Sequence, residues 1–465
     1  MIHPTLKHVA TGLLAFTVLN TQADEGAAKN DAWTPPMEIE YAEGLKLRLG
    51  IDNRTRFTTF DRTAIFANDN GPSGHGLEYI RMRTRLWTSV DLPGNMTLNA
   101  RMANRWHYFS SHFINPNQQD AATWEFNDEV IIDDLNLKIA NILASPVSVT
   151  LGRQALILGN GMIFLEGTPY DQGRTIYFDG ATARYSADNN KLTLFAFWDN
   201  LKDEFWVIDD QDRRLRRGDT LTLGAYFTHT FCNALNADIF YNFTEIEDDF
   251  FLIADASERN HPMDENATIH TYGARIFGAV HEWVDYSAEL AFQTGEANQR
   301  TSKEDMTGMM ADLRLTIKTP KETPLAPSLL LEYTYMSGDE AGDDEFEGWH
   351  PLFAEYPIWR EELLPILLNG NWTNMHQYRA EGKFKLMDKL TFTAAYAYIL
   401  ADTDAQVSGQ GGQGAHFGEL VSAFLDYSYN KNLCFALESA FFFPGNYWDN
   451  GAESKWLRAQ VTLTF

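Results

Sequence analysis

Eighteen stretches of this chain alternate apolar with polar residues, and the gaps between them run short, long, short, long from end to end. The first, residues 45–57, reads LKLRLGIDNRTRF. It puts Leu45, Leu47, Leu49 and Ile51 on one face and Lys46, Arg48, Asp52, Arg54 and Arg56 on the other. Successive side chains of a strand point to opposite faces. One face therefore suits hydrocarbon, and the other is crowded with cations. Repeated this often, the pattern predicts an all-β fold, an 18-stranded antiparallel transmembrane β-barrel with short periplasmic turns and long extracellular loops.

The expected strands fall near 45–57, 80–92, 96–106, 130–140, 147–153, 177–185, 191–198, 220–231 and 234–243. A second set lies near 270–280, 284–294, 309–319, 328–336, 377–386, 390–399, 417–429, 433–443 and 456–465. Most reach the length a tilted strand needs to cross the hydrocarbon layer. Asp91-Leu92-Pro93-Gly94-Asn95, Asp188-Asn189-Asn190, Cys232-Asn233, Met387-Asp388-Lys389 and Asn430-Lys431-Asn432 supply tight turns. Between these turns lie long polar gaps such as 58–79, 107–129, 154–176, 199–219, 244–269 and 337–376. The last strand, Trp456 to Phe465, alternates cleanly and ends on Phe, the form read by the outer-membrane insertion machinery. Aromatic residues near strand ends, among them Trp106, Tyr108, Phe195, Trp198, Tyr427 and Phe441, fit interfacial girdles. For Trp198 and Trp206 a sugar-stacking role is the alternative.

No internal stretch approaches the ~20 apolar residues of a spanning helix. No linker divides the chain, so one large barrel accounts for its 465 residues. Lys7 and His8 precede the apolar run Val9 to Leu19, and Thr21-Gln22-Ala23 offers small residues at a cleavage site. The expected organisation is a signal peptide over 1–23, a periplasmic segment over 24–44 and the barrel over 45–465. Cys232 and Cys434 map to the same end of the barrel about half a circumference apart, beyond the ~7 Å a disulfide spans. Two free thiols are expected. The net charge of −27 is concentrated in the long gaps, in Glu245 to Asp249, Asp209 to Asp212 and Gly338 to Glu345, which read as solvated loops.

Parity assigns the bore. Arg81, Arg83 and Arg85 oppose Ile80, Met82 and Leu86, and Arg101 and Arg105 oppose Ala100, Met102 and Trp106. With Lys46, Arg48, Arg54 and Arg56 they crowd the first three strands with inward cations. Lys138, Arg184, Arg275, Arg314, Lys318, Arg379, Lys383, Lys385 and Arg458 add to them on later strands. Asp52, Asp134, Asp238, Asp285, Glu289, Asp312, Glu332, Glu381, Asp426 and Glu438 are candidate partners in wall-stiffening ladders. Over the later strands the ladder reading is favoured. Over the first three the cations outnumber the acids, which predicts residual positive charge and a preference for anions. Guanidinium matches carboxylate in a two-point contact, so uronate chains suit such a bore.

Gly152-Arg153-Gln154, then Gly159, then Asp171-Gln172-Gly173-Arg174, then Phe178-Asp179-Gly180-Ala181 resembles the signature region of the alginate export family of outer-membrane proteins. The resemblance runs from about Leu45 to Phe465. It implies an 18-stranded barrel carrying an anionic polysaccharide through an arginine-rich bore. It also makes Arg153, Arg174 and Asp179 candidate lumen or constriction residues. The acidic, aromatic segment from Ser337 to Met375 departs from that pattern and is expected either to fold inward as a gate or to cap the mouth.

Catalysis is the competing class. His229, His270 and His281 show no paired serine at readable spacing, and no nucleophile elbow, HExxH or CxxC occurs. The Gly-rich run Ser408 to Gly414 lacks the lysine of a phosphate cradle. Basic residues that face a bore give no exposed nucleic-acid patch. The expectation is therefore a monomeric channel in the outer membrane of a Gram-negative-type bacterium, without cofactor or metal. It would pass an acidic polysaccharide or oligosaccharide. Its expected partners are that solute, outer-membrane lipid, the insertion machinery and, for export, a periplasmic protein. The alternative is a nutrient porin for small anions or acidic oligosaccharides, and the third reading is a lipid-acting barrel enzyme.

Overall fold

The computed structural model describes residues 37–42, 45–61, 77–109, 123–125, 128–165, 177–203, 205–208, 218–247, 266–299, 302–340, 345–354, 360–367, 372–407, 411–449 and 451–465. The expected signal peptide, Asp171 to Arg174 and the Asp209 to Asp212 run lie outside these residues.

Eighteen antiparallel strands form the barrel. They are β1 (Leu45–Phe60), β2 (Leu77–Leu92), β3 (Met96–Phe109), β4 (Val130–Ile139), β5 (Val147–Gln154) and β6 (Phe178–Ala187). Next come β7 (Asn190–Asp199), β8 (Asp219–Cys232), β9 (Leu235–Glu247), β10 (Asn266–His281), β11 (Val284–Gln299) and β12 (Ser302–Lys318). The last are β13 (Ser328–Met336), β14 (Met375–Met387), β15 (Leu390–Leu400), β16 (His416–Ser428), β17 (Leu433–Pro444) and β18 (Ser454–Thr464). Each pairs with the strand before and after it, and β18 returns to β1 from Asp52↔Thr464 to Phe60↔Trp456, which closes the ring. Among the described residues each of the eighteen strands has a partner on both sides, as lipid requires of a spanning sheet. Cys232 and Cys434 are both free thiols.

Every expected strand is present, but many run further at the long-loop end. β9 continues to Glu247, β10 begins at Asn266, and β11 and β12 pair out to Gln299↔Ser302. Glu245, Glu247 and Glu296 lie in these extensions. Beyond the hydrocarbon the outer face no longer needs apolar side chains, so the ladder continues with the polarity reversed, Glu245 and Glu247 outward and Ile246 buried. Four short pieces outside the expected strands add to the sheet: Met37–Ala42, which alternates over six residues, and Thr123–Glu125, Trp206–Ile208 and Glu345–Phe346, which are too short to show a period. Met37–Ala42 pairs with β1 over Leu45 to Leu49, on the same edge that β18 occupies higher up.

The two faces differ as alternation requires. Leu86, Met102, Ile239, Ile276, Leu290, Leu313, Leu331 and Leu437 are exposed on the outer wall. Asp52, Arg83, Asp238, Arg275, Glu289, Asp312, Glu332 and Glu438 are buried on the inner one. Glycines let rings lie flat against the sheet. A Cβ at Gly50 would come within 2.1 Å of the Trp87 ring, and one at Gly273 within 2.0 Å of Phe240.

The outer half of the bore is filled. Residues 155–165 turn inward after β5, and the described parts of the segment between β13 and β14, residues 345–354 and 360–367, lie inward as well, the second bearing the short helix α1 (Leu363–Leu367). Trp349, His350, Leu363 and Leu364 are fully buried and Trp372 nearly so. Phe353 packs on Phe164 and Phe178 at 5.1 and 5.2 Å between ring centroids. The Gln293 amide donates to the His350 carbonyl at 2.9 Å. Within Ser337 to Met375, the described residues 345–354 and 360–367 pack inside the ring.

The closing register is testable with paired cysteines in a background carrying Cys232→Ser and Cys434→Ser. Thr55→Cys with Val461→Cys, which face each other across β1 and β18, should form an intramolecular disulfide on mild oxidation. Thr55→Cys with Ala459→Cys, displaced by one repeat, should form far less. Equal yields on non-reducing gels would contradict the register.

Candidate functional site

The inner faces of β1, β2 and β3 bring cations into register. Arg54 lies opposite Arg83, and Arg83 opposite Arg105; one row further toward the long loops, Arg56 lies opposite Arg81, and Arg81 opposite His107. Facing positions on neighbouring strands are ~5 Å apart, and like charges there destabilise the sheet. The repulsion is met at fixed points by acids and, at Arg56, by a neutral amide. Asp52 accepts from Arg83 at 3.1 Å and from Arg85 Nε at 2.7 Å. Arg101 donates to Asp133 at 2.6 Å, and Arg56 donates to Gln460. Nearer the short turns the wall is more open. Lys46 pairs with Glu38 at 3.4 Å and Arg48 pairs with Asp91, while Lys383 lies opposite Ser328.

The inward segment supplies a further acid. Arg81 lies 3.0 Å from Glu362, and Arg458 lies 3.4 Å from its other oxygen. Arg458 also pairs with Glu438. The expected surplus of cations on the first three strands is therefore smaller than a strand-by-strand count predicts. The reason is physical: the compensating carboxylate of Glu362 arrives from a loop, which alternation cannot place.

On the later strands a ladder of charges runs along the wall, in the arrangement favoured for them. Arg275 donates to Asp238 at 2.8 Å, Arg314 lies 2.9 Å from Asp312 and 3.1 Å from Glu332, and Arg379 lies 3.1 Å from Glu332. Asn160, from the inward turn after β5, sits on this ladder. Its amide donates to Asp312 at 2.7 Å, its backbone N–H donates to Glu289 at 3.0 Å, and its side-chain carbonyl accepts from Arg275 at 2.6 Å. A turn residue that satisfies three wall groups holds the inward turn against β10, β11 and β12.

Arg153 and Asp179 correct the expectation that places them in the lumen. In the register of β5 and β6 they face each other, on the side that carries exposed Leu151 rather than buried Gln154 and Phe178. Arg153 donates to both Asp179 oxygens at 2.8 and 2.7 Å, to the Ile132 carbonyl at 2.7 Å and to Asp203 at 3.1 Å. Its guanidinium also lies 3.6 Å from the Tyr177 ring centroid. These donors are committed to the wall. The flanking glycine Gly152 belongs to the same joint: a Cβ there would meet the Leu135 carbonyl at 2.4 Å, with φ +110°. The described part of the signature around Gly152, Arg153 and Asp179 thus works as a joint between β4, β5 and β6.

Arg101 meets a second acid besides the expected one. Parity offers Asp134 of β4, and the register does set Asp134 opposite Arg101. The register then shifts between Arg101 and Met102, and the bulge turns Asp133 inward as well, where its fully buried side chain takes the direct pair. A β-bulge adds one residue and reverses the facing of the positions beyond it, which a strict alternation count misses. Among the described residues no group of three or more His, Cys, Asp or Glu could hold a metal.

Removing one partner of a buried, multiply bonded ion pair destabilises strongly. Arg153→Met should lower unfolding stability by about 3 kcal/mol, read from the urea midpoint of the refolded protein, without changing ion selectivity. A selectivity change at unaltered stability would return Arg153 to the pathway. Asp133→Asn should destabilise more than Asp134→Asn in the same assay.

Comparison with known proteins places this geometry. The family model described as alginate export matches residues 45–461. No curated protein matches the chain. Among solved structures, Pseudomonas aeruginosa OccK1 (OpdK) is similar at 13% identity and TM-score 0.54, covering 90% of this chain and 99% of that one. P. aeruginosa OpdK with vanillate gives 13% identity and TM-score 0.53, over 90% of this chain and 99% of that one. P. aeruginosa OccK2 (OpdF) in complex with glucuronate gives 12% and 0.51, over 90% and 96%. At such identities the likeness establishes the barrel architecture, while the family match spans nearly the whole barrel. The chain belongs to the alginate export family and is a channel-forming β-barrel of the outer membrane.

Proposed function

We propose that this barrel is an anion-preferring channel that passes an acidic polysaccharide or oligosaccharide. The single observation that carries the reading is the pair of cross-strand rows, Arg54–Arg83–Arg105 and Arg56–Arg81–His107. Guanidinium groups in register at strand spacing offer successive two-point contacts to carboxylates. Arg83 is shared with a wall acid and Arg81 with a loop acid, so neither would hold a solute too tightly to release it. The order of exposure agrees: Lys46 and Arg48 lie near the open short-turn end, and the arginine rows lie deeper. In this reading a periplasmic export partner would deliver the chain to that end.

Uptake of small carboxylates is the second reading. The filling of the outer bore around Trp349 and Trp372 favours it, because a narrow path suits a single acid better than a polymer. Two of the similar solved structures carry vanillate and glucuronate, both small carboxylates.

Reversal potentials under a KCl gradient in planar bilayers test the anion preference. The wild type should favour chloride, and Arg54→Met with Arg83→Met should move the potential toward zero. Cation preference in the wild type would defeat both readings. Liposome swelling with a graded series of oligouronates then separates them, since an exporter should admit oligomers and a nutrient porin only the shortest acids.

A further inference from the structure

The inward segment does more than narrow the bore. Phe353 holds it against β6 through Phe178, and Arg360 holds it against β16 and β17 on the opposite side of the ring. Phe353 and Arg360 are thus held on different sides of the lumen. The Arg360 end is fixed by two ion-pair sets of opposite polarity. Arg360 donates to both oxygens of Asp426 at 2.6 Å and also pairs with Glu438. Glu362 accepts from the Tyr79 hydroxyl at 2.9 Å and lies 3.0 Å from Arg81 and 3.4 Å from Arg458. Arg458 also donates to the Arg360 carbonyl at 3.2 Å. Leu363 and Leu364 come next, fully buried.

We propose that Tyr79, Arg81 and Arg458 form a carboxylate-binding site for the transported acid, which Glu362 fills as an internal stand-in while the segment lies in the bore. The proposal rests on the anion-channel reading and adds how the path opens. Two guanidinium groups from β2 and β18 and a phenol hydroxyl converge on one carboxylate, and that carboxylate belongs to the loop rather than to the wall. Withdrawing Glu362 alone would strip a buried counter-charge from Arg81 and Arg458, which is strongly unfavourable. An incoming uronate removes that penalty by taking the same three partners, so the loop carboxylate is exchanged rather than lost. A neutral sugar brings no charge and cannot make the exchange. The Arg360 contact has the opposite sign and is untouched by a soluble anion. It would act as the hinge from which the Glu362 end swings free.

The test is single-channel recording of the full-length protein at constant ionic strength, with galacturonate as the probe and galactose as the neutral control. Galacturonate should raise the open probability of the wild type, and galactose should not. Glu362→Gln, which keeps the shape and removes the charge, should be open several-fold more often without any sugar and should no longer respond to galacturonate. Equal responses to the two sugars, or a Glu362→Gln channel that behaves as the wild type does, would overturn the proposal. Should that variant fail to insert, the comparison of the two sugars on the wild type still decides. Reversal potentials in the same membranes keep the two readings apart. An anion-selective channel indifferent to galacturonate overturns the exchange site alone, while a cation-selective channel opened by galacturonate overturns the anion reading alone.

Discussion

The architecture turns on charge held inside a ring that has no room to let it relax. Closing β18 onto β1 fixes the register of β1, β2 and β3, and that register sets arginine opposite arginine. Exposed side chains would spread apart in water, but Arg54, Arg56, Arg81, Arg83 and Arg85 are all buried. Acids must come to them. Asp52 does so from the adjacent row, opposite Arg85, and Glu362 from a loop, while Asp133 meets neighbouring Arg101 from a bulge. The inward fold of the segment after β13 is thus tied to the same electrostatics that give the wall its character.

The alternation makes the barrel legible because lipid enforces it residue by residue. A polar side chain on the outer face is penalised at every position within the hydrocarbon, so Leu86, Ile239, Leu313 and Leu437 announce their orientation and that of their neighbours. Arg83, Arg275 and Arg458 can be turned inward on that basis alone. Where lipid stops acting the reading fails: β9, β10, β11 and β12 extend past the expected ends, and the short strands run to six residues or fewer, below the length at which alternation marks a spanning strand. It fails also where the period breaks, as at Asp133, and where a residue is placed by family likeness instead of parity. Arg153 and Asp179 share the face of Leu151, and their own position in the strands says so.

The long segment from Ser337 to Met375 is readable as unusual but not as to direction. Its inward course depends on partners scattered over the whole chain: Gln293 for His350, Phe178 for Phe353, Asp426 and Glu438 for Arg360. None of these pairings is local, and none leaves a periodic trace. Asn160 has the same character, a single turn residue whose three wall partners lie more than a hundred positions away.

The seam has an uneven build. β1 pairs with β2 from Lys46 to Phe60, but β18 covers its other edge only from Asp52 upward, and Met37–Ala42 takes over below. The junction is therefore made of two separate pieces laid end to end, meeting where the Phe465 and Ile51 backbones exchange hydrogen bonds at 2.8 Å. Under mechanical load the cylinder should unzip from that joint, and anything fused ahead of residue 37 would pull directly on it.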